Sequence, residues 1–305
     1  MEITTALIKE LREKTGAGIL DCKGALNETK GDLAEAEKFL RKKGLAAAAK
    51  KAGRTAAEGL IGYKVEGGVG ALVELNSETD FVAKLEDFGT ARQVLAALVH
   101  ATASLGDTVD GDCAKLLALP SPAELPLATG TLNEWLPAFT AKTGENTQLR
   151  RYVRMVAGAG NAITLYVHPG DKTVVLIETA GCDESLAKDL AMHVAALAPL
   201  YANRESVSEK AIADEREIAK AKALAMGKPE NVAEKMVEGM LGKWFGEVVL
   251  VDQAFAKEDS KKVSQVITER AGKDAKVVRF VRYKVGDGVE KKQSDFAAEV
   301  AAMTQ

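Results

Sequence analysis

The sequence predicts an α+β protein with antiparallel sheets, and two patterns lead to that fold class. Apolar residues recur at helical spacing from Ile3 to about Gly53. Further along, a strand–turn–strand pattern followed by a helix occurs twice, first in "LIGYKVEGGVGALVEL" and again in "AITLYVHPGDKTVVLIE". We therefore expect a helical N-terminal domain followed by two related α+β subdomains that derive from an internal duplication.

The N-terminal domain is predicted to contain three helices. Its first apolar stripe is interrupted by "TGAG", and two further stripes follow. Asp32 and Glu35 have the spacing of a capping box at the start of the third helix, and Gly44 is placed to end it. The Ala-rich basic stretch "LAAAAKKAGRTAAEG" is interpreted as a solvated helical linker rather than a nucleic-acid patch, because no aromatic residues alternate with its lysines.

Each predicted subdomain begins with a β-hairpin and continues with a helix. In the first, the turn is the pair Gly67 and Gly68, and the helix runs from about Phe81 to Ala103. In the second, the turn lies at "PGD" and the helix in "CDESLAKDLAMHVAAL". The segment between the subdomains, "LALPSPAELPLATGTLNEWLP", is rich in proline and is expected to be an irregular connection.

The last third of the chain predicts an antiparallel helical hairpin between Val207 and Phe245. Gly227 is placed to end its first helix and Pro229 to open the second, whose apolar stripe is expected to be buried within the hairpin. The apolar runs "GEVVLVDQAF" and "KVVRFVRYKV" suit strands, and "SDFAAEVAAM" suits a short terminal helix.

These patterns divide the chain into five segments. The predicted segments are the N-terminal three-helix domain 1–54, the first α+β core subdomain 55–140, the second core subdomain 141–206 and 248–293, the inserted helical hairpin 207–247, and the C-terminal helical module 294–305. The second subdomain is discontinuous because the hairpin interrupts it.

Composition and charge favour a globular protein of the cytoplasm. The 305 residues are 47% hydrophobic, and 41 basic residues nearly balance 44 acidic ones, so no strong attraction to nucleic acid or to an anionic membrane is expected. The first residues do not form a signal peptide, and no stretch is apolar for long enough to span a membrane. Cys22, Cys113 and Cys182 are odd in number and widely spaced, so neither a disulfide framework nor zinc is expected.

The sequence contains none of the catalytic or ligand-binding motifs that would indicate an enzyme, so none is predicted. Neither form of the phosphate-binding glycine loop occurs, so direct nucleotide binding is not expected, and no cofactor is indicated. His100, His168 and His193 lack metal-ligand spacing and are expected to be structural. Glu78 and Asp80 could serve acid–base chemistry, but such pairs are expected by chance among this many acidic residues.

The segment "ELNSETDFVAK" places Phe81 where a strand ends and a helix begins, a position expected to be polar. Ser77 and Asp80 have capping-box spacing. On the residues alone, a core aromatic behind that cap is favoured over a residue held for contact with a partner.

The same segment resembles, residue for residue, the second signature of the bacterial elongation factor Ts family, and "LREKTGAGILDCKGAL" resembles the first. Gly24 stands where family members usually carry a polar residue, and the segment from Leu116 to Ala141 is longer than usual. Other segments resemble the family in the same order along the chain: "KKAG", "GENTQLRR", "AMHVAA", "GKPENVAEKMVEG" and "SDFAAEVAAM".

The resemblance implies a guanine-nucleotide exchange factor that performs no covalent chemistry. Such a factor binds GDP-bound elongation factor Tu, speeds GDP release and is displaced when GTP binds. For the fold, the resemblance implies a ubiquitin-associated-like N-terminal domain, two α+β core subdomains, an inserted helical hairpin and a C-terminal helical module.

The resemblance also implies roles for individual residues. It assigns the dislodging of the partner's magnesium ion to Thr79, Asp80, Phe81 and Val82, with the aromatic ring inserted between partner side chains. Further contacts with the partner are implied for Arg12, Ile19, Leu20, Lys23, Gly144 and His168.

Two other classes of function stay open from the residues. One is a scaffold whose N-terminal helices bind peptides, and the other is a cytosolic hydrolase that uses Glu78 and Asp80. The sequence also leaves open whether the chain forms a homodimer and whether the helical hairpin contacts the partner.

Overall fold

A computed structural model describes residues 3–226 and 230–289 and confirms the α+β fold class. Within those residues the helices are α1 (Thr5–Thr15), α2 (Ile19–Glu28), α3 (Leu33–Lys51), α4 (Asp80–Ala83), α5 (Glu86–Ala101), α6 (Cys113–Leu117), α7 (Leu132–Thr143), α8 (Glu184–Leu197), α9 (Glu209–Ala225), α10 (Glu230–Val248) and α11 (Val263–Ala271). The strands are β1 (Glu58–Glu66), β2 (Val69–Ser77), β3 (Gln148–Val156), β4 (Asn161–Val167), β5 (Thr173–Ala180), β6 (Ala254–Phe255), β7 (Glu258–Lys262) and β8 (Lys276–Lys284).

The described chain divides into two compact units, of which the first comprises residues 3–64, 71–154 and 284–289. Its sheet has the order β1-β2-β3, and helices α5 and α7 cover a core that contains Phe88, Trp135 and Phe139. The three N-terminal helices bury a separate core of their own, formed by Leu11, Cys22, Ala25, Leu26, Ala36 and Leu40. The predicted hairpin is present, and both turn glycines have a positive φ, which suits a tight turn between twisted strands.

Helix α3 begins where predicted but does not end at Gly44. The Asp32 side chain accepts the Glu35 N–H at 3.0 Å and caps the helix, which then continues to Lys51. A Cβ added to Gly44 would lie 3.2 Å from that of Ala141, so the glycine allows α3 to approach α7 closely. The prediction of a C-cap was wrong because the glycine serves helix packing and the residues that follow favour a helix.

The proline-rich connection is less irregular than predicted, because helix α7 begins inside it at Leu132. Thr131 and Glu134 form a capping box at its start. Trp135 is fully buried, stacks on Phe139 with ring centroids 5.0 Å apart, and donates its indole N–H to the Pro126 carbonyl at 2.8 Å. The cap and the aromatic burial stabilise the helix although Pro137 lies inside it.

The second unit comprises, among the described residues, 65–70, 155–226 and 230–283. Its sheet has the order β4-β5-β8, and β4 pairs antiparallel with β5 from Asn161 opposite Ala180 to Val167 opposite Val174. Helices α9 and α10 pack against each other as the predicted hairpin, with small and apolar residues at the contact: Ala219, Ala223, Ala233, Val237 and Leu241. The predicted caps Gly227 and Pro229 lie outside the described residues.

The apolar run "GEVVLVDQAF" was predicted as a strand and is mostly helical. Helix α10 continues to Val248, Leu250–Asp252 form a 3₁₀ turn, and only Ala254–Phe255 pair as strand β6. A short apolar run fits a buried helix end as well as a strand, so periodicity could not separate the two. The run "KVVRFVRYKV" forms β8 as predicted, whereas the terminal helix at 294–305 lies outside the described residues.

Each of the two three-stranded sheets contains a buried carboxylate on its middle strand that binds an arginine from its third strand. In the first unit, Arg151 Nε lies 2.6 Å from Glu74 Oε2. In the second, Arg279 Nε lies 2.7 Å from Glu178 Oε2. The two units thus share a strand order and an ion pair, while the duplication and the five segment boundaries stay predictions.

Candidate protein-interaction site

Phe81 lies on the four-residue helix α4 with 78% of its surface exposed. The next residues, Val82 and Ala83, are buried in the core of the first unit. The expectation of a core aromatic at this position is therefore wrong, because Val82 occupies the inward position. Aromatic residues are enriched at protein interfaces, so the exposed ring is available for contact with a protein partner.

The N-terminal cap of α4 is Thr79, so the predicted capping box between Ser77 and Asp80 is wrong. The Thr79 hydroxyl accepts the Val82 N–H at 3.5 Å, and Ser77 instead donates its hydroxyl to the Thr79 carbonyl at 2.8 Å. Thr79 is itself held by Glu145, whose two carboxylate oxygens accept its N–H at 2.9 Å and its hydroxyl at 2.6 Å.

Sequence reasoning missed Glu145, which lies 66 positions from Thr79. The signals were its neighbour Gly144 and the segment "GENTQLRR", which contains Glu145 and resembles the family, but neither indicated a contact with Thr79. A bond over such a separation leaves no local pattern in the sequence, so only the fold could reveal it.

Opposite charges flank the exposed ring of Phe81. Lys84 Nζ lies 2.6 Å from Asp80 Oδ2 and 5.8 Å from the ring centroid. The ion pair joins residues four apart on one helical turn, and the ammonium also lies close enough for a cation–π interaction. The site thus presents an apolar ring with a polar rim.

A second exposed apolar patch lies at the start of helix α2. Ile19 is 57% exposed and Leu20 is 84% exposed, while the opposite face of the helix is fully buried. Arg12 on α1 and Lys23 on α2 are also exposed. The predicted contact residues of the N-terminal helices are therefore all accessible to a partner.

Gly144 and His168 lie in different units. Gly144 is the exposed C-cap of α7 with φ 78°, and its carbonyl accepts the Lys51 ammonium at 2.7 Å. Through its neighbour Glu145 it is joined to the Thr79 end of α4 within the first unit. His168 is exposed after strand β4 of the second unit, with its Nδ1 3.2 Å from the Tyr166 hydroxyl.

The acidic pair considered for hydrolysis is used in structural contacts. Glu78 accepts the Asn146 N–H at 2.6 Å and lies 3.5 Å from Arg54, and Asp80 pairs with Lys84. Among the described residues no cluster of His, Cys, Asp or Glu could hold a metal ion. The arrangement gives no support to a hydrolase.

The thiols and the buried histidine are also unsuited to nucleophilic catalysis. Burial raises the pKa of Cys22 and Cys182 and raises that of Cys113 to about 11, so the thiolate is scarce near neutral pH. Burial lowers the pKa of His193, whose Nδ1 accepts the Ala256 N–H at 3.1 Å and whose Nε2 lies 2.8 Å from Gln253 Oε1.

In the part of the chain that the structure covers, none of the helices is both long and apolar enough to cross a membrane.

Comparison with known proteins gives the family. The sequence matches the family described as "Elongation factor TS" over residues 78–287. It is similar to elongation factor Ts of Methylococcus capsulatus, with 45% identity over 307 residues that cover all of this chain and 99% of that protein. It is similar also to elongation factor Ts of Syntrophotalea carbinolica, with 43% identity over 314 residues that cover both chains completely. The chain therefore belongs to the elongation factor Ts family.

Proposed function

We propose that this chain releases GDP from elongation factor Tu by inserting the ring of Phe81 beside the magnesium ion of that GTPase. Membership of the elongation factor Ts family implies nucleotide exchange on elongation factor Tu during translation elongation. The proposal adds the mechanism: the chain binds the GDP-bound GTPase, disturbs its magnesium and phosphate contacts, and is displaced when GTP binds.

The observation that carries the proposal is the exposure of Phe81 on a capped helix beside buried neighbours. A side chain that separates groups in a partner must be apolar, stiff and accessible before binding. Phe81 has two rotatable side-chain bonds, and the core contacts of Val82 and Ala83 anchor the backbone beside it. The ring can therefore enter a partner with little loss of conformational freedom.

Thermodynamic linkage between the two ligands of the GTPase, GDP and the exchange protein, explains how binding of one releases the other. A GTPase holds GDP through backbone N–H groups around the phosphates and through a magnesium ion. Disturbing either of these contacts weakens the binding of the nucleotide. If bound GDP lowers the affinity of the GTPase for the exchange protein by a certain ratio, the bound exchange protein lowers the affinity of the GTPase for GDP by the same ratio. No covalent bond changes, so the chain needs no catalytic group and no nucleotide site of its own.

A second contact is proposed through the N-terminal helices. Ile19 and Leu20 supply the exposed apolar surface, and Arg12 and Lys23 supply positive charge next to it. This combination fits a partner surface that is apolar at its centre and acidic at its edge. Gly144 and His168 are proposed as further contacts because both are exposed.

The remaining parts of the proposal follow from the role in translation. The chain is proposed to act in the cytoplasm, without a membrane and without a specific nucleic acid. A homodimer stays an open prediction.

The test is the release of fluorescent GDP from elongation factor Tu during a chase with excess unlabelled nucleotide. The chain is expected to speed this release at substoichiometric concentration, because it leaves when the new nucleotide binds. A peptide-binding scaffold would bind without speeding release, and a hydrolase would turn over a small substrate. A stable complex with unchanged release would contradict the proposal.

A further inference from the structure

We propose that Glu145 is a positioning residue for nucleotide exchange, because its carboxylate holds the end of the segment that carries Phe81. The inference rests on the proposed function and adds to it a residue that acts through Phe81.

Both carboxylate oxygens of Glu145 bind one residue. Oε2 accepts the Thr79 N–H at 2.9 Å, and Oε1 accepts the Thr79 hydroxyl at 2.6 Å. Because the hydroxyl donates its only hydrogen to Glu145, its lone pairs remain for the Val82 N–H at the start of α4. The carboxylate thus fixes both the backbone of the cap and the direction of its hydroxyl.

A second carboxylate makes the reverse connection. Glu78, the residue before Thr79, accepts the N–H of Asn146, the residue after Glu145, at 2.6 Å. The side chain of Asn146 is buried and donates to the Arg54 carbonyl at 2.7 Å. We call these two reciprocal carboxylate contacts, from Glu78 and Glu145, the carboxylate clasp.

The segment that supplies Glu145 is itself held at both ends. It follows the C-cap Gly144 of α7, whose carbonyl accepts the Lys51 ammonium at 2.7 Å. It precedes Thr147, which is buried and donates its N–H to the Thr140 hydroxyl at 3.3 Å. The clasp therefore ties the short helix α4 to two elements of the core, α7 and β3.

Helix α4 needs such a connection because a helix of four residues is far too short to be stable alone. The exposed ring of Phe81 contributes few packing contacts that could fix its own position. Without Glu145 the cap hydroxyl is free to rotate, and the segment samples more orientations. Binding must then order it again, which weakens the contact that drives GDP release.

The test compares Glu145→Ala and Glu145→Gln with the control Glu124→Ala, which truncates an exposed glutamate elsewhere in the same unit. Loss of the Glu145 contact of the clasp is expected to lower kcat/KM for stimulated GDP release about fivefold in Glu145→Ala, the rate equivalent of the free energy that loss of a helix cap typically costs. Glu145→Gln should lose less, because its amide oxygen can still accept the Thr79 N–H. The control should behave as the wild-type chain.

A double-variant cycle with Phe81→Ala separates positioning from general structure. If Glu145 acts through Phe81, Glu145→Ala combined with Phe81→Ala should release GDP no more slowly than Phe81→Ala alone. If the fold-losses of the two single variants multiply in the double variant, the two residues act independently and the inference is overturned. Wild-type release by both Glu145 variants, alongside a slow Phe81→Ala, would overturn the inference alone and leave the proposed function standing.

Hydrogen exchange at the Thr79 amide gives a readout that does not depend on activity. Exchange should be faster in Glu145→Ala than in the wild-type chain and unchanged in Phe81→Ala, because only the first variant removes the acceptor of that N–H. Unchanged protection in Glu145→Ala and Glu145→Gln would overturn the clasp. A wild-type chain that does not speed GDP release would instead contradict the proposed function, and the inference with it.

Discussion

At the scale of single residues, Phe81 and Phe88 show how position decides the role of identical side chains. Phe81 is 78% exposed on α4, whereas Phe88 is fully buried on α5 against Phe139. They stand seven positions apart in one segment of the chain. The pair therefore supplies a matched test in which the same truncation has opposite expected effects.

Phe81→Ala should slow stimulated GDP release while leaving stability nearly unchanged. Loss of a central aromatic anchor typically removes about 2 kcal/mol of interaction, which is at least tenfold in rate if the contact forms mainly in the exchange transition state. Phe88→Ala should instead lower the free energy of unfolding by about 3–5 kcal/mol. Thermal unfolding and GDP release are measured on both variants. An early-melting Phe81→Ala chain that exchanges at the wild-type rate while folded would contradict the role of the ring.

His193 should make the stability of the chain depend on pH. Its Nδ1 accepts the Ala256 N–H, so the neutral ring carries its proton on Nε2 and donates it to Gln253. Burial lowers the pKa of His193 in the folded state, so the unfolded state binds more protons as the pH falls below about 6.5. The free energy of unfolding should therefore decrease from pH 6.5 towards the folded pKa and be insensitive to this group above pH 7.

The measurement is urea unfolding of the wild-type chain and His193→Gln at pH 7.5 and pH 5.5. The variant should lose less stability between these two pH values than the wild-type chain does. His168→Gln, which changes an exposed histidine, should keep the wild-type loss. Equal losses in wild type and His193→Gln would contradict the assignment.

At the scale of elements, the packing of α3 on α7 distinguishes two glycines that look alike in the sequence. Gly24 and Gly44 both lie inside N-terminal helices. A Cβ on Gly24 would meet nothing within 4 Å, whereas one on Gly44 would press on Ala141. Helix propensity applies to both positions, and close packing applies only to Gly44.

Gly24→Ala should raise the free energy of unfolding of the N-terminal helices by about 1 kcal/mol, the gain in helix propensity. Gly44→Ala should gain less or lose stability, because its Cβ would lie 3.2 Å from that of Ala141. Chemical unfolding followed by circular dichroism compares the two variants. Equal gains would show that α7 moves away without cost.

Local patterns predicted the elements whose causes are local. The glycine pair at positions 67 and 68, the Asp32 cap and the alternating strands all act within a few residues, so their positions followed from the sequence. Gly44 was misread because its reason lies in α7, and "GEVVLVDQAF" was misread because burial suits either structure.

At the candidate site, too, features with local causes could be predicted and features with distant causes could not. The exposure of Phe81 required the family resemblance, since the residues alone favoured a core position. The contact between Thr79 and Glu145 was missed because it joins residues distant in sequence.

At the scale of the whole molecule, the N-terminal helices and the rest of the first unit have separate hydrophobic cores. The buried cluster of the N-terminal helices lies between Leu11 and Leu40, and that of the sheet and its helices lies between Ala71 and Tyr152. They are connected by the packing of α3 on α7 at Gly44 and by polar contacts, including the Arg41–Glu134 ion pair and the hydrogen bond from Lys51 to the Gly144 carbonyl. Because the two buried clusters share no side chain, we expect each core to form without the other.

Deleting Met1 to Gly53 should leave a remainder that unfolds cooperatively and stimulates GDP release more weakly. The remainder keeps Phe81 and its supporting core but loses Ile19 and Leu20, and loss of an apolar contact patch is expected to lower the rate about tenfold or more. Calorimetry and GDP release are the two measurements. An unfolded remainder, or one with full activity, would contradict this prediction.

Glu74 also has a consequence for how the chain is made. Besides its ion pair with Arg151, the carboxylate accepts the N–H of Gly286, which is 212 positions later and lies in the same unit. A ribosome that adds about 5–20 residues per second reaches that glycine tens of seconds after it has made Glu74. Likewise β5 acquires its neighbour β8 only near the end of synthesis. The contact of Gly286 with Glu74 and the pairing of β5 with β8 both form late in synthesis, so a nascent chain that stalls before Lys276 has neither of them.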